Sequence, residues 1–441
     1  MTKPLVAVVG KPNVGKSTFF NKVCGGRISI VSDMPGVTRD RVYADAEWLG
    51  KKFTLVDTGG IQLKSDDVMF RHIKEQAQIA LDLADVILFF CDYKSGLTTE
   101  DYDVSALLRK TSKPVILVVN KVDNFTEADL TDFYSLGYGD FFPIAAEQKQ
   151  GVGDLLDQVV SYFPQLDEAD DEEGVIKIAV VGKPNAGKSS LVNKILGYDR
   201  TIVSDIAGTT RDAIDTPFTY EGQKYVIIDT AGMRKKRSIE SDSVEQYSVM
   251  RSLNAVRRAD VCLIVMDASV GLTEQDVKIA GFIHEEGKPS VVVINKWDLI
   301  EKDTHTVETF KKQLLCDLAF MDYFRHITVS ALTGQRVQKL MDEVNYVYAK
   351  STFRATTGTL NDVVADAVRA VEPPSSKGRR AKIKYVTQPS TQPPTFVIFT
   401  NDAKLVHFSY RRYLENYIRR AFSLDGTPIK LIFRDGSDKD E

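Results

Sequence analysis

Two glycine-rich runs hold the same residue types at the same spacing. The first is Gly10, Lys11, Pro12, Asn13, Val14, Gly15, Lys16, Ser17 and Thr18. The second is Gly182, Lys183, Pro184, Asn185, Ala186, Gly187, Lys188, Ser189 and Ser190. Both fit G-x-x-x-x-G-K-[ST], in which glycines let backbone N–H groups converge on phosphate oxygens. Lys16 and Lys188 can reach β- and γ-phosphates, and Ser17 and Ser189 can ligate Mg²⁺. Each run follows an apolar stretch that reads as a strand, Leu5 to Val9 and Val175 to Val181. Each precedes a helix-like segment, whose amino end favours anions. One such loop is weak evidence of a nucleotide cradle; two in matched context are strong evidence.

Further residues complete the chemistry. Asp57, Thr58, Gly59 and Gly60 correspond to Asp229, Thr230, Ala231 and Gly232. Each aspartate ends an apolar strand, where it can hold Mg²⁺ through water, and Gly60 and Gly232 can offer an N–H to the γ-phosphate. Asn120, Lys121 and Asp123 in NKVD correspond to Asn295, Lys296 and Asp298 in NKWD. Asp123 and Asp298 can accept two hydrogen bonds each from guanine N1–H and N2–H₂, with Asn120 and Asn295 on the purine edge and the loop. Adenine lacks that donor pair, and an unpaired buried group costs about 1–3 kcal/mol, so the pattern selects GTP.

Positions that match at an offset of 172 through the aspartates match at 175 from residue 84 onward, so the fold itself is duplicated. Alternating strand-like and helix-like runs predict an α/β class: two tandem domains, each a mainly parallel sheet with helices on both faces. The predicted boundaries are 1–165, an acidic linker at 166–174, 175–349, and a small α+β domain at 350–441. The chain has 441 residues, 43% hydrophobic and 27% charged, which suits two or three domains with full cores. No apolar run approaches the roughly 20 residues that span a bilayer, so a cytoplasmic location and no membrane partner are expected. Cys24, Cys91, Cys262 and Cys316 show no disulfide or zinc spacing, and the five histidines form no ligand set.

The net charge of −4 conceals an asymmetry. Residues 350–441 carry 16 Lys and Arg against 10 Asp and Glu, and residues 350–434 carry 15 against 6. Such a basic module is the electrostatic footprint of a nucleic-acid partner. Its pattern reads α-β-β-α-β, with segments at 359–371, 382–387, 395–400, 404–422 and 428–433. Tyr410, Leu414, Ile418 and Phe422 share a core face of the second helix, and Arg412 and Arg419 share another. Lys377, Arg379, Arg380, Lys382 and Lys384 lie on and before one strand.

The motifs GKPNVGKS, GVTRD, DTGG and NKVD, repeated as GKPNAGKS, GTTRD, DTAG and NKWD ahead of a basic tail, resemble the Der/EngA family of bacterial GTPases over essentially the whole chain. The resemblance implies a ribosome-associated GTPase needed for large-subunit assembly, binding GTP and GDP, with a KH-like C-terminal domain that meets ribosomal RNA. A monomer is expected. Matching motifs position by position makes Lys16, Thr38, Gly60, Lys188, Thr210 and Gly232 the catalytic set. It makes Ser17, Thr38, Asp57, Ser189, Thr210 and Asp229 the Mg²⁺ ligands.

Three departures qualify the match. Ile61 and Met233 stand where Ras-like enzymes place a water-orienting glutamine. GTPases similar in this respect use a monovalent cation, usually K⁺, held partly by a loop asparagine that corresponds to Asn13 and Asn185. Second, VSALTG supplies Ser330 and Ala331 for closing over guanine, with the Ala331 amide aimed at O6, whereas the first half offers Ala145 and Ala146 in IAAEQKQG. Third, the tail lacks the GxxG loop of ordinary KH domains, which keeps open an alternative regulatory GTPase whose tail docks on protein. RKKR at 234–237 occurs in the second half alone, and suits either RNA contact or a solvated loop.

Overall fold

The computed structural model describes residues 4–24, 43–57, 84–125, 128–163, 174–197, 201–203, 215–230, 251–301, 306–376 and 379–436. Described residues up to 163 form one compact unit and those from 174 onward form another.

The first unit is a six-stranded sheet of β1 (Leu5–Val9), β2 (Tyr43–Trp48), β3 (Lys51–Asp57), β4 (Val86–Asp92), β5 (Val115–Asn120) and β6 (Phe141–Pro143), in the order β2-β3-β1-β4-β5-β6. All neighbours are parallel except β2, which pairs antiparallel with β3. The run VILFFCD of β4 is buried throughout, as a central parallel strand covered on both faces must be. Helices α1 (Lys16–Val23) and α3 (Val152–Ser161) pack Phe19, Phe20, Leu155 and Val159 onto Val6, Val8 and Leu88. Helix α2 (Thr99–Leu108) opens with a capping box between Thr98 and Asp101.

The second unit repeats this plan with β7 (Val175–Val181), β8 (Thr201–Val203), β9 (Thr216–Tyr220), β10 (Gln223–Ile228), β11 (Val261–Asp267), β12 (Ser290–Asn295) and β13 (Arg325–Thr328). Its order is β13-β12-β11-β7-β10-β9-β8. Alternation along β7 sends Ile178 and Val180 to a core shared with α4 (Lys188–Leu196) and α7 (Val337–Ser351). Ala179 and Val181 go to a second core shared with α5 (Glu274–Glu285) and α6 (Thr306–Asp317). Helices therefore cover both faces, as the alternating pattern predicts. Strand β9 pairs antiparallel with both β10 and the edge strand β8, an addition to the expected parallel sheet.

The tail follows the predicted α-β-β-α-β order: α8 (Thr357–Ala370), a two-stranded pair β14 (Ser375–Ser376) and β15 (Arg379–Arg380), then β16 (Ile383–Thr391), β17 (Pro394–Thr400), α9 (Phe408–Phe422) and β18 (Lys430–Asp435). The long helix begins at Phe408 rather than 404, because Asp402 caps a separate short turn at Ala403–Leu405. Tyr410, Leu414 and Ile418 are buried against Val364, Phe396 and Ile398. The loop at Gly426 docks on the preceding domain: Gly426 N donates to Tyr323 O at 2.7 Å and Ser290 N donates to Gly426 O at 2.9 Å. Gly426 has φ 73°, and a Cβ there would stand 2.4 Å from Val347 Cγ1, so this joint needs glycine. Ser290 and Arg325 begin β12 and β13, so the tail sits at the amino ends of the strands.

Among the described residues no helix is long and apolar enough to cross a membrane. Among them, too, no group of three or more His, Cys, Asp or Glu is placed to hold a metal ion. Cys24, Cys91 and Cys262 are buried, and burial raises their thiols above the ordinary range, so they act as apolar filling.

Candidate functional site

The carboxyl ends of β1, β3, β4 and β5 present Gly10, Asp57, Asp92 and Asn120 at one end of the sheet, where open α/β sheets bind ligands. In the second unit β7, β10, β11 and β12 bring up Gly182, Asp229, Asp267 and Asn295 in the same way. The loop glycines are forced by contact. A Cβ on Gly15 would stand 2.1 Å from Asn120 Nδ2, and one on Gly187 would stand 2.2 Å from Asn295 Nδ2. Pro12 and Asn13 are exposed while Val14 is buried, and Pro184, Asn185 and Ala186 repeat this arrangement. Asn13 and Asn185 both take left-handed backbone, with φ 64° and 66°.

The loop wraps its lysine. Lys16 Nζ donates to Gly10 O at 2.5 Å and Lys11 O at 2.7 Å, and Lys188 Nζ donates to Gly182 O at 2.6 Å and Lys183 O at 2.7 Å. Burial pushes the Lys16 ammonium down to about 8, against the pull of Asp57. A phosphate at this place would supply the anion that a buried cation lacks. Gly15 and Gly187 are the N-caps of α1 and α4, so the first N–H groups of each helix, around Ser17, Thr18, Ser189 and Ser190, face the same space. Ser17 Oγ donates to Asp57 Oδ2 at 2.7 Å, which brings two hard oxygen donors together as a Mg²⁺ ion requires. In the second unit Asp229 has φ 56° and lies 4.0 Å from Arg251, while Thr230 Oγ1 lies 2.9 Å from Thr216 Oγ1. Thr38, Thr58, Gly59, Gly60, Thr210, Ala231 and Gly232 lie outside the described residues, as do Ile61, Met233 and RKKR at 234–237.

At the base end the two asparagines are braces. Asn120 Nδ2 donates to Val14 O at 2.8 Å, and Asn120 Oδ1 accepts from Ala146 N at 3.0 Å. Asn295 does the same with Ala186 O at 2.9 Å and Ala331 N at 3.0 Å. The alanine amides expected at guanine O6 are thus engaged by asparagine, and each asparagine ties the phosphate loop to the guanine-closing loop. Lys121 and Lys296 take left-handed backbone, φ 67° and 60°, and each pairs at 2.6 Å with the aspartate ending the neighbouring strand, Asp92 or Asp267. In the second closing loop Ser330 Oγ accepts from Thr333 N; in the first, Ala145 N donates to Gln150 O.

The carboxylates expected to read the base differ. Asp298 Oδ1 is buried and makes no hydrogen bond within the protein. Asp123 is exposed and pairs with Lys94 at 2.6 Å. Sequence reasoning missed Lys94, Asp92 and Asp267. The repeat at offset 175 holds a signal for the aspartates, which end corresponding strands opposite corresponding lysines, but none for Lys94, whose counterpart is Ser269.

On the tail, Arg379, Arg380, Lys382 and Lys384 are exposed, Arg380 pairing with Glu372; Lys377 lies outside the described residues. Arg412 is exposed, but Arg419 does not join it on a basic face. Arg419 is buried, donates to Leu424 O at 2.8 Å and Thr427 O at 2.7 Å, and lies over the Tyr323 ring at 4.3 Å. The docking of the Gly426 loop covers it, which helix periodicity cannot register.

Two families match along the chain. Residues 5–121 and 177–296 match the family described as 50S ribosome-binding GTPase, and residues 354–434 match the KH-domain-like C-terminal region of EngA bacterial GTPase enzymes. The chain is similar to GTPase Der of Acetivibrio thermocellus, 55% identical over 437 residues that make up 99% of each protein. It is also similar to GTPase Der of Alkaliphilus metalliredigens, 54% identical over 441 residues and all of both proteins. With paired phosphate loops, paired NKxD braces and relatives that match end to end, the chain belongs to the Der family of GTPases and is itself a GTP-hydrolysing enzyme.

Proposed function

We propose that this GTPase is an assembly factor for the large (50S) ribosomal subunit, and that the nucleotides in its two sites set its affinity for that subunit. The observation that carries the reading is the exposed basic run Arg379, Arg380, Lys382 and Lys384 on a module that docks at the strand ends remote from the second nucleotide site. The family description supports a ribosomal partner, and the basic run suits a sequence-independent contact with rRNA phosphates. Domains at 1–165, 175–349 and 350–441, joined in part by the acidic 166–174, rearrange with nucleotide state in a monomeric cytoplasmic protein. A partner that distinguishes GTP from GDP tenfold needs a differential of only about 1.4 kcal/mol.

Ser17, Thr38 and Asp57, with Ser189, Thr210 and Asp229, would hold Mg²⁺, which neutralises charge on the β- and γ-phosphates. Asn13 in the first site and Asn185 in the second would each help to hold a K⁺ ion that supplies positive charge otherwise brought by an arginine. Hydrolysis is then faster in K⁺ than in Na⁺ at equal ionic strength; equal rates in the two salts remove the K⁺ assignment.

Titration of large subunits with the chain loaded with GTP, GDP or a non-hydrolysable analogue tests the main reading. Affinity is expected to change about tenfold with nucleotide. Replacing Lys377, Arg379, Arg380, Lys382 and Lys384 by alanine should weaken binding and flatten its salt dependence while leaving GTP affinity intact. Binding indifferent to nucleotide, or a five-fold alanine variant that binds subunits as well at every salt concentration, would transfer the tail to a protein-docking role.

A further inference from the structure

The three-stranded tail sheet has one face packed on α8 and α9, with Val386, Phe396 and Ile398 in the core. Strand alternation and the register Tyr385↔Phe399, Thr387↔Val397, Val397↔Ile432 and Phe399↔Arg434 place Tyr385, Thr387, Val397, Phe399, Ile432 and Arg434 on the other face. None of these six is acidic. At the hairpin end Val397 is buried, but at the far end Tyr385 is 45% exposed and Arg434 is exposed. There the Tyr385 and Phe399 rings stack, with centroids 4.2 Å apart and planes 14° apart.

We propose that this outer face is a stacking site for an unpaired RNA base, with Tyr385 over Phe399 as the platform and Arg434 beside it for the adjoining phosphate. The proposal rests on the RNA-facing reading above and says which part of the RNA the tail takes. A half-exposed ring in a parallel stack presents a π-face that any base can extend. Arg434, exposed and in the same cross-strand row as the stacked rings, with no acidic residue on this face, complements a polyanion. The tail lacks the glycine loop by which KH domains clamp a strand, so the sheet face gives the module a different means of holding a nucleotide. Its chemistry favours single strands, because a duplex keeps its base faces covered.

The test uses the full chain, a fluorescein-labelled short oligouridylate with no secondary structure, and an RNA duplex of equal length. Tyr385→Ala should weaken oligouridylate binding about tenfold and leave duplex binding and GTP affinity unchanged. Tyr385→Phe should bind as the wild type does, and Tyr385→Leu, which keeps bulk without a π-face, should behave like the alanine variant. If Tyr385→Ala binds oligouridylate normally while the five-fold basic variant does not, the platform is overturned and the RNA reading stands. Equal losses for Tyr385→Phe and Tyr385→Ala would overturn stacking in favour of the hydroxyl. A wild-type chain that binds subunits but neither RNA would overturn both readings together.

Discussion

Asn120 and Asn295 brace their phosphate loops at 2.8 and 2.9 Å and accept from their closing loops at 3.0 Å in both cases, yet three residues on, the base-reading carboxylates part ways. Asp298 keeps an oxygen buried and unpartnered, whereas Asp123 is half in water and held by Lys94. The phosphate end is fixed by backbone geometry, in which a Cβ on Gly15 or Gly187 would strike the bracing asparagine. The base end is fixed by side chains that the duplication left free to diverge. If guanine enters as proposed, it would displace a solvated ion pair in the first site and meet a carboxylate oxygen with no protein partner in the second.

The largest expected effect separates the sites at these carboxylates. Asp298→Asn turns one acceptor into a donor facing guanine N–H groups in a buried place. GTP affinity there should fall on the order of a hundredfold, since an unsatisfied buried group costs about 1–3 kcal/mol and a repelled donor adds to it. Asp123→Asn, with water at hand, should lose nearer to tenfold, and both variants should gain affinity for xanthosine triphosphate. Calorimetric titration of each variant with both nucleotides reads the two losses. Equal losses would erase the asymmetry, and no loss at either site would remove the guanine assignment.

Much of this was legible in the sequence, for a physical reason. Strand β1 is a continuous apolar run and β7 one broken only by Lys177, each followed by a glycine, and the motifs sit on the strand ends because only there do backbone and side chains converge. The tail order was legible from periodicity, as Tyr410, Leu414 and Ile418 show by packing on the sheet. Arg419 was not. Three-six periodicity separates a helix's own core face from its remainder, but it cannot say that a second domain covers that remainder, and here the Gly426 loop and Tyr323 do. The antiparallel strands β2, β8 and β9 escaped notice because such pairing depends on turns rather than on apolar content. The Lys94–Asp123 pair escaped because exposed ion pairs leave no pattern in composition.

A smaller effect is expected from Lys94 itself. Lys94→Ala frees Asp123 and should raise guanine-nucleotide affinity at the first site a few-fold, because exposed pairs contribute little and compete weakly. Added salt screens the wild-type pair, so the gain should shrink as ionic strength rises. The reciprocal Ser269→Lys should lower affinity at the second site and pull it toward the first. Fluorescent-nucleotide dissociation rates measured for each site report the change, and a faster release from Lys94→Ala would place Lys94 on the nucleotide's side instead.

The smallest effect distinguishes the units by pH. At the offset of 175 the second unit carries His284 where the first carries Arg109. His284 Nδ1 lies 2.8 Å from the Tyr323 hydroxyl under the docked tail. Burial first, then the Arg419 guanidinium, holds its imidazole below the ordinary 6.5, while Asp322 acts the other way. The unfolded chain therefore takes up the proton before the folded one does as pH falls. Stability is full above about 6.5, declines as pH drops through that value, and levels off once the pH lies below the lower folded value. One proton is involved, so the folding equilibrium changes by less than about tenfold per pH unit. The two tryptophans report the units separately, Trp48 in the first and the buried Trp297 in the second. In a Trp48→Phe background, urea midpoints followed by Trp297 emission should fall from pH 7.5 to 5.5, and His284→Asn should flatten the decline. In a Trp297→Phe background, the Trp48 signal should show no change traceable to position 284. A decline of equal slope with and without His284 would free the joint from this histidine and leave carboxylate protonation as its cause.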